Sequence, residues 1–438
     1  MVLFKNFRNI FFISELRKKL FITLGILIVE RLGVYIPVIG VNVARLGEHM
    51  KQVAGSGGLL GYLDIFSGGA FSKATLFALG IGPYITSSIM MQMLGMTVPH
   101  FEQLMKEGEY GRKIINQYTR YLTVFLSVIY SFGYATWLER SGFALNPGLA
   151  FKLLFVLSLT AGAVFVMWLA EQISLFGLGN GSSVIIFAGI VSRFPSYANR
   201  MYTLISSGTM EPWIAIVIVA ILIAIAACIV FLEKGERKIP VQYARRVVGQ
   251  RVYGGQSTYI PFKINTAGVM PVILSSAVLQ MPITLVTIFS EKFYIFRQLA
   301  ELLSPTGVLF NVLEFLLIIF FSFVYTALIF NPEEIADNIK KSGGFILNIR
   351  PGRKTAEYFN YILTRIGLVG AVYLGLLALI PNVMIAFFQM PFYLSGTSLL
   401  IVVSVALELS AQIESYLIEH RYEGFLTSGR LKGRVARS

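Results

Sequence analysis

The chain has 438 residues, of which 55% are hydrophobic and only 14% are charged, and its formal net charge is +14. Because soluble domains carry about 25% charged residues, this composition excludes an ordinary soluble domain and predicts an all-α polytopic membrane protein. The single cysteine, Cys228, excludes a disulfide framework, and the three scattered histidines predict no metal centre. The first apolar stretch has no small-residue cleavage site, so no cleavable signal is expected.

Ten apolar runs approach or exceed the length that crosses a bilayer, about 18 residues. In chain order they are 20–39, 74–98, 121–138, 153–170, 182–205, 212–232, 264–290, 308–330, 366–388 and 392–413. Arg193 and Pro195 interrupt the fifth run, and Glu30 and Arg31 lie about ten residues into the first. Since neighbours in sequence diverge on a helix, these two charges are expected to find partners other than each other.

The second predicted span follows a short glycine-rich segment, GYLDIFSGGAFSK (61–73), that is too brief to cross a membrane. The span itself contains many small and polar residues between Gly80 and Gln92. Two interpretations remain open for this pattern. The small residues permit close helix packing, or the polar ones face water or a protein interior.

With ten spans, both termini lie on one side of the membrane. That side carries 27 of the 37 lysine and arginine residues, the opposite side carries 9, and Arg31 lies inside the first span. The positive-inside rule places the basic side in the cytoplasm. Both termini are therefore predicted to be cytoplasmic.

Two cytoplasmic loops are longer than the topology requires. Loop 233–265 contains two β-prone runs, IPVQYA and RVYGGQSTYI, which predict a hairpin-like projection. Loop 331–365 is predicted to be helical at both ends of a glycine- and proline-containing centre. Their clustered arginines suit docking of a large anionic partner, because arginine pairs bidentately with carboxylate and phosphate. The simpler interpretation is that these charges only fix the topology.

The sequence lacks the motifs of common enzymes. GxxxxGK[ST], HExxH and GxSxG do not occur, and no pair of intramembrane carboxylates is evident. GLGNGSS (177–183) follows an apolar span and lacks the dinucleotide-binding spacing, so it is predicted to turn the chain and cap the next helix. The chain is expected to be no enzyme and to hold no cofactor.

Several long segments resemble the SecY/Sec61-alpha family of protein-translocation channels, nearly from end to end. They are FSGGAFSKATLFALGIGPYITSSI (66–89), GLGNGSSVIIFAGIV (177–191), RRVVGQRVYGGQSTYIPFKINTAGVMPVI (245–273), IRPG (349–352) and GTSLLIVVSVALELSAQIESYL (396–417). Two departures are Glu30, where the family usually has an apolar residue, and Glu408, where it usually has aspartate.

The resemblance implies ten transmembrane helices in two inverted pseudo-symmetric halves of five, 1–205 and 206–438. It also implies a short re-entrant plug helix at about 60–72, within the segment that cannot span. The plug residues are Asp64, Ile65, Phe66, Ser67, Gly68 and Gly69. The constriction ring of the pore falls on Ile81, Ile85, Ile186, Ile273 and Ile401. Taken alone, each isoleucine is explained as well by helix packing.

The resemblance also implies a lateral gate between the second and seventh helices. Its polar residues are Ser87, Ser88, Gln92, Ser275, Ser276 and Gln280, which a closed seam is expected to satisfy with hydrogen bonds. The residues that it implies for docking of a motor or ribosome are Arg245, Arg246, Arg251, Arg350, Arg353 and Tyr422.

By this resemblance the chain conducts unfolded secretory polypeptides across the bacterial cytoplasmic (inner) membrane and releases membrane segments sideways. The implied partners are the small membrane subunits SecE and SecG, the motor ATPase SecA, the ribosome, signal peptides, unfolded preproteins and membrane lipids. No nucleic-acid function is implied beyond contact with ribosomal RNA. A secondary transporter, with charges or broken helices at the midplane, is the alternative; a membrane-embedded enzyme would need a catalytic pair.

Overall fold

The protein is described here from a computed structural model covering residues 13–388 and 396–428, except 55–63, 65–66, 244–245, 249–250, 254–256, 290–297, 300–302 and 304–306. This part of the chain is mainly helical. Its α-helices in chain order are α1 Ser14–Gly33, α2 Val43–Ala54, α3 Gly82–Thr97, α4 Pro99–Lys106, α5 Glu109–Arg140, α6 Leu149–Phe176, α7 Gly181–Val191, α8 Phe194–Ser206, α9 Pro212–Lys234, α10 Met270–Phe289, α11 Val308–Ile329, α12 Pro332–Lys341, α13 Arg353–Phe388 and α14 Gly396–Ser428.

Six stretches of the described chain are helical, long and apolar enough to cross a membrane. They are Glu109–Arg140, Leu149–Phe176, Pro212–Lys234, Val308–Lys341, Arg353–Met384 and Gly396–Glu419. They coincide with six of the predicted spans, so the multi-pass helical class is confirmed. The other four predicted spans correspond to α1, α3, the pair α7 and α8, and α10, which are shorter, broken or partly outside the described residues.

The second predicted span is wrong in its first third. Ala74 and Gly80 adopt left-handed backbone conformations, with φ of 45° and 54°, so the chain forms turns before α3 begins. These turns are fixed by a backbone hydrogen bond of 2.9 Å from the Leu76 N–H to the Ile36 carbonyl. Gly162 of α6 lets the Leu76 carbonyl approach closely, since a Cβ there would lie 2.0 Å from that oxygen. The irregular backbone is therefore enclosed by protein, as a lipid environment requires.

The fifth predicted span is two helices instead of one. α7 ends at Val191 and α8 begins at Phe194, with Ser192 and Arg193 between them. Asn180 caps α7, because its side-chain oxygen accepts a hydrogen bond of 3.1 Å from the Ser182 N–H. The predicted capping role of GLGNGSS is thus confirmed.

The two long loops form one folded unit, which we call the two-loop unit (residues 236–263 and 332–359). In the first loop, strand β1 (Glu236–Tyr243) pairs antiparallel with β4 (Ser257–Lys263), and β2 (Arg246–Val248) pairs with β3 (Arg251–Tyr253). The predicted hairpin is confirmed. The second loop adds a short strand, β5 (Gly344–Phe345), beside β1, so the strand order is β4–β1–β5.

A small apolar core lies beneath this sheet. Its side chains come from both loops and from the start of α13, and they include Ile239, Val241, Phe262, Ala336, Ile339, Ile346 and Phe359. Phe262 and Phe359 are 1% and 0% exposed. The helical ends predicted for loop 331–365 are confirmed as α12 and the start of α13.

Candidate functional site

The five predicted ring isoleucines lie together in one apolar cluster. Ile81 directly precedes α3 and Ile85 lies in its first turn, while Ile186, Ile273 and Ile401 come from α7, α10 and α14. All but Ile85 are at most 6% exposed, and Ile85 packs against the same apolar cluster. Residues from four separate helices thus converge on one apolar contact.

Four of these isoleucines enclose a cavity of about 20 Å³. Ile81, Ile85, Ile186 and Ile273 line it together with Gly82, Ser276 and Ala277. The Ser276 hydroxyl already donates to the carbonyls of Val272 and Ile273, both at 3.0 Å. A water molecule needs about 10–15 Å³ and two to four polar partners. The cavity is large enough for one water molecule, but its lining offers that water few hydrogen-bond partners.

A second, larger cavity of about 140 Å³ shares Ile85, Ile186 and Ile273 with the first. Its remaining lining is largely polar: Tyr84, Ser88, Gln92, Ser174, Asn180, Ser182 and Ser183, besides Ile89, Met270 and Leu274. The predicted gate residues Ser88 and Gln92 therefore face this cavity. Ile85, Ile186 and Ile273 thus lie between the polar cavity and the small apolar one.

The seam between α3 and α10 is closed by apolar contacts. Ile89 of α3 packs with Leu274 and Ala277 of α10 and with Phe321 of α11. The hydroxyls of Ser87 and Ser275 donate to carbonyls of their own helices, at 2.7 and 3.0 Å. A helical serine readily bonds the carbonyl three or four residues earlier. The hydroxyls of Ser87 and Ser275 are thus satisfied within their own helices, while the side chain of Gln280 lies outside the described residues.

The described part of the predicted plug is a turn organised around Asp64. The Asp64 carbonyl accepts from the Gly69 N–H at 3.0 Å and from the Ser67 hydroxyl at 3.1 Å. Its carboxylate accepts from the Ser72 N–H at 2.8 Å. The turn leads into a short 3-10 helix, Phe71–Lys73. Ile65 and Phe66 lie outside the described residues.

The C-terminal end of the plug segment packs against α5. The ring of Phe71 stacks on Tyr134 with a centroid distance of 4.2 Å. The Tyr134 hydroxyl donates a hydrogen bond of 2.6 Å to the Phe71 carbonyl. Both residues belong to an apolar cluster shared with α2 and α6. This end of the segment is therefore fixed to the N-terminal helices.

The prediction that Glu30 and Arg31 do not pair with each other is wrong. Arg31 Nε lies 2.6 Å from Glu30 Oε2, and Arg31 Nη2 lies 2.7 Å from Glu30 Oε1. The long arginine side chain folds back so that its planar fork meets both carboxylate oxygens. The pair also lies in the last turn of α1, which ends at Gly33, and not in mid-span.

Arg193, which the sequence indicated only as an interruption, is a functional candidate that sequence reasoning missed. Arg193 Nη2 lies 2.6 Å from Asp64 Oδ2, and both side chains are largely buried. The one available signal was an arginine inside an apolar run, since such residues usually pair within the protein.

The predicted docking residues are only partly described. Arg350 and Arg353 lie close in sequence at the exposed tip of the two-loop unit, and Arg353 is 3.7 Å from Glu357. The Lys354 ammonium, 2.8 Å from Glu357, together with Arg353 holds the pKa of that carboxyl below its ordinary value. Arg245 and the side chains of Arg246, Arg251 and Tyr422 lie outside the described residues.

Comparison with known proteins identifies the family. The sequence model of the SecY family matches residues 75–410. The chain belongs to the SecY family. Protein translocase subunit SecY of Aquifex aeolicus is 42% identical over 426 residues, covering 96% of this chain and 98% of that one. The Escherichia coli K12 protein of the same name is 42% identical over 427 residues, covering 96% of each chain.

Solved structures share the fold at lower sequence identity. A protein-conducting channel superposes with a TM-score of 0.66 at 18% identity, covering 92% of this chain and 93% of that one. A SecY structure, whose plug domain is described as stabilising the closed state and maintaining a membrane seal, has a TM-score of 0.64 at 18% identity and the same coverage. Canine Sec61 in a ribosome–channel complex has a TM-score of 0.61 at 18% identity, covering 92% and 93%.

Proposed function

We propose that the chain is the channel subunit of a bacterial protein translocase and not an enzyme. It passes unfolded secretory polypeptides across the cytoplasmic membrane and releases membrane segments sideways. The observation that carries this proposal is the convergence of Ile81, Ile85, Ile186, Ile273 and Ile401 on one constriction beside a polar cavity. The names of relatives at 42% identity support it.

The constriction suits a pore that seals without binding its cargo. Branched apolar side chains are hard to wet, and a dewetted constriction blocks ions. The same side chains flex around a passing polypeptide and offer it no hydrogen bond, so no cargo sequence is retained. The polar cavity lined by Ser88, Gln92 and Asn180 supplies a hydrated approach to the ring.

The seam between α3 and α10 is the proposed lateral gate. Its contact rests on Ile89, Leu274 and Ala277, so an apolar signal peptide replaces these contacts with equivalent ones. The hydroxyls of Ser87 and Ser275 donate to carbonyls of their own helices, so these hydrogen bonds are kept when the seam opens. Opening therefore exposes few unsatisfied polar groups to lipid.

Ten spans in two inverted halves, 1–205 and 206–438, with a plug at about 60–72, complete the proposed architecture. Corresponding helix starts support it. α7 begins with Gly181 against the Ala170 carbonyl, and α14 begins with Gly396 against the Ala378 carbonyl. A Cβ at these glycines would lie 1.8 and 1.9 Å from those oxygens. The last proposed span of each half thus starts in the same close packing.

The two-loop unit is the proposed docking surface for SecA and the ribosome, with both termini on the same cytoplasmic side. Arg350 and Arg353 are exposed at its tip. Canine Sec61, which shares the fold, is seen with a ribosome, and this supports the ribosome as a partner. SecE and SecG are proposed as membrane subunits.

A disulfide across the seam tests the gate. In a Cys228→Ala background, Ile89→Cys with Leu274→Cys is expected to bridge, because both residues belong to one buried cluster and a bridge needs Cα atoms within about 7 Å. Bridging should stop translocation of a signal-bearing preprotein into proteoliposomes that contain SecA and ATP, and reduction should restore it.

The matched control is Leu274→Cys with Phe321→Cys, which joins α10 to α11 and leaves the seam free. Undiminished transport with the seam bridged would refute the gate. Uptake of a small solute without SecA, and no preprotein transport, would instead favour the secondary transporter.

A further inference from the structure

We propose that a salt bridge between Asp64 and Arg193 holds the plug segment closed and is released by movement of the ring helix α7. The proposal rests on the channel function above and deepens it. The main observation behind it is the part-buried contact between Arg193 Nη2 and Asp64 Oδ2 at 2.6 Å, between groups 129 positions apart in the chain.

Asp64 organises the plug turn from within. One carboxylate oxygen accepts from the Ser72 N–H, the other from Arg193, and the residue is 4% exposed. Removing Arg193 would take away the counter-ion that this buried carboxylate has among the described residues. A buried charge without its counter-ion is strongly unfavourable, so Arg193 stabilises the turn in this position.

Arg193 is placed by the break between α7 and α8. Arg193 follows Ser192 in a tight turn, in which its N–H donates 3.1 Å to the Ile190 carbonyl three residues earlier. Its guanidinium lies 5.9 Å from the ring centroid of Tyr197. The side chain is therefore held between the aromatic ring and Asp64. A continuous helix over 182–205 would not supply this turn in the chain.

A second arginine, Arg31, packs over the plug turn that contains Asp64 and Gly68. Arg31 Nη1 donates 2.7 Å to the Ser192 hydroxyl, while its other nitrogens are fixed by Glu30. Gly68, with φ of 62°, lies beneath it: a Cβ there would be 2.6 Å from Arg31 Nη1 and 3.1 Å from the Gly189 Cα. The plug turn thus touches α7 directly through a position that only glycine fits.

The ring and this contact share one helix. α7 carries Ile186 of the constriction, Gly189 under the plug turn, and Ser192 and Arg193 at its end. Residues three apart lie on the same helix face. A polypeptide that pushes Ile186 outward therefore moves Gly189 and Arg193 away from Asp64, and the plug is released only when the ring widens.

The test measures resting ion conductance of the full-length protein in planar bilayers. Asp64→Asn retains an acceptor for the Ser72 N–H, and Arg193→Gln retains a polar side chain, so each removes chiefly one charge. Each is expected to raise the ratio of conducting to closed time of the resting channel by at least about tenfold, which corresponds to about 1.4 kcal/mol. The double variant should be no leakier than either single one, and Arg193→Lys should restore part of the seal.

Arg200→Gln, in the adjacent helix α8, is the control and should leave the seal unchanged. A double variant whose effect is the product of both single effects would show that the charges act separately and would overturn the proposal. If the charge variants do not leak while Ile186→Asn with Ile273→Asn does, the salt bridge is not the plug contact but the channel stands. If the ring variant is also tight, the channel function itself fails.

A second pair of variants decides the matter if the charge variants do not fold. Gly68→Ala and Gly69→Ala both place a side chain at a positive φ, of 62° and 91°, and the backbone strain is larger at Gly69 because 91° lies outside the left-handed region. Only the first Cβ clashes with Arg31 and α7, since the second comes no closer than 3.7 Å to Arg193. Leakage in Gly68→Ala alone supports the contact, and equal behaviour of the two contradicts it.

Discussion

Replacing Ile186 and Ile273 together by asparagine is expected to open the resting channel to small ions. Both side chains are buried and line the cavity of about 20 Å³, where a water now finds few polar partners. Each buried carboxamide left without a partner costs about 1–3 kcal/mol. Two of them favour the wetted state by about 2–6 kcal/mol, which shifts the ratio of wet to dry constrictions at least about 30-fold.

Single-channel recordings at rest measure this shift directly, and preprotein translocation should survive in the same variant. Ile229→Asn is the matched control, because Ile229 is equally buried but lies in the cluster of α9, away from the constriction. This control substitution should lower the free energy of unfolding but should not raise the resting ion conductance. If the double ring variant folds correctly and the resting ion conductance does not rise, the assignment of these isoleucines to a seal is refuted.

Arg350→Glu is expected to abolish motor-driven translocation into proteoliposomes while leaving membrane insertion intact, because it inverts an exposed charge and removes no packing. Because Lys354 lowers the pKa of Glu357, this contact stabilises the start of α13 at neutral pH and is lost as the pH falls through the lowered pKa. Lys354→Gln should raise that pKa toward its ordinary value in a carboxyl ¹³C NMR titration. Gly162→Val should destabilise the protein by about 1–3 kcal/mol, because it overpacks the contact with Leu76, and should therefore lower the thermal unfolding temperature. Gly25→Ala should not lower it, because there is open space around Gly25.

Hydrophobic length and charge placement were enough to predict the helical membrane class and six of the spans. They were not enough where the backbone leaves the helix. Ala74 has no feature that announces a left-handed conformation, and its turn depends on hydrogen bonds to the segment around Ile36. A hydropathy pattern contains no information about such distant backbone partners.

The site shows the same division between local and distant determinants. The ring positions were predicted because long segments resemble a known family, and the structure brings those side chains together. The pairing of Glu30 with Arg31 was mispredicted because helix geometry alone ignores how far an arginine side chain can bend. The contact of Arg193 with Asp64 joins two segments far apart in the chain, and no local pattern indicates it.

The strand pairing of β5 with β1 has a mechanical consequence. Without it, a force on the tip near Arg350 would bend only the loop that carries it. With it, and with the shared core around Phe359, the load passes through the sheet into β1 and β4. β1 continues from α9, and β4 leads within seven residues to α10, one wall of the seam. A force applied to the proposed docking tip would therefore be transmitted through the paired strands to α10, so the two-loop unit would act as a lever on the proposed gate.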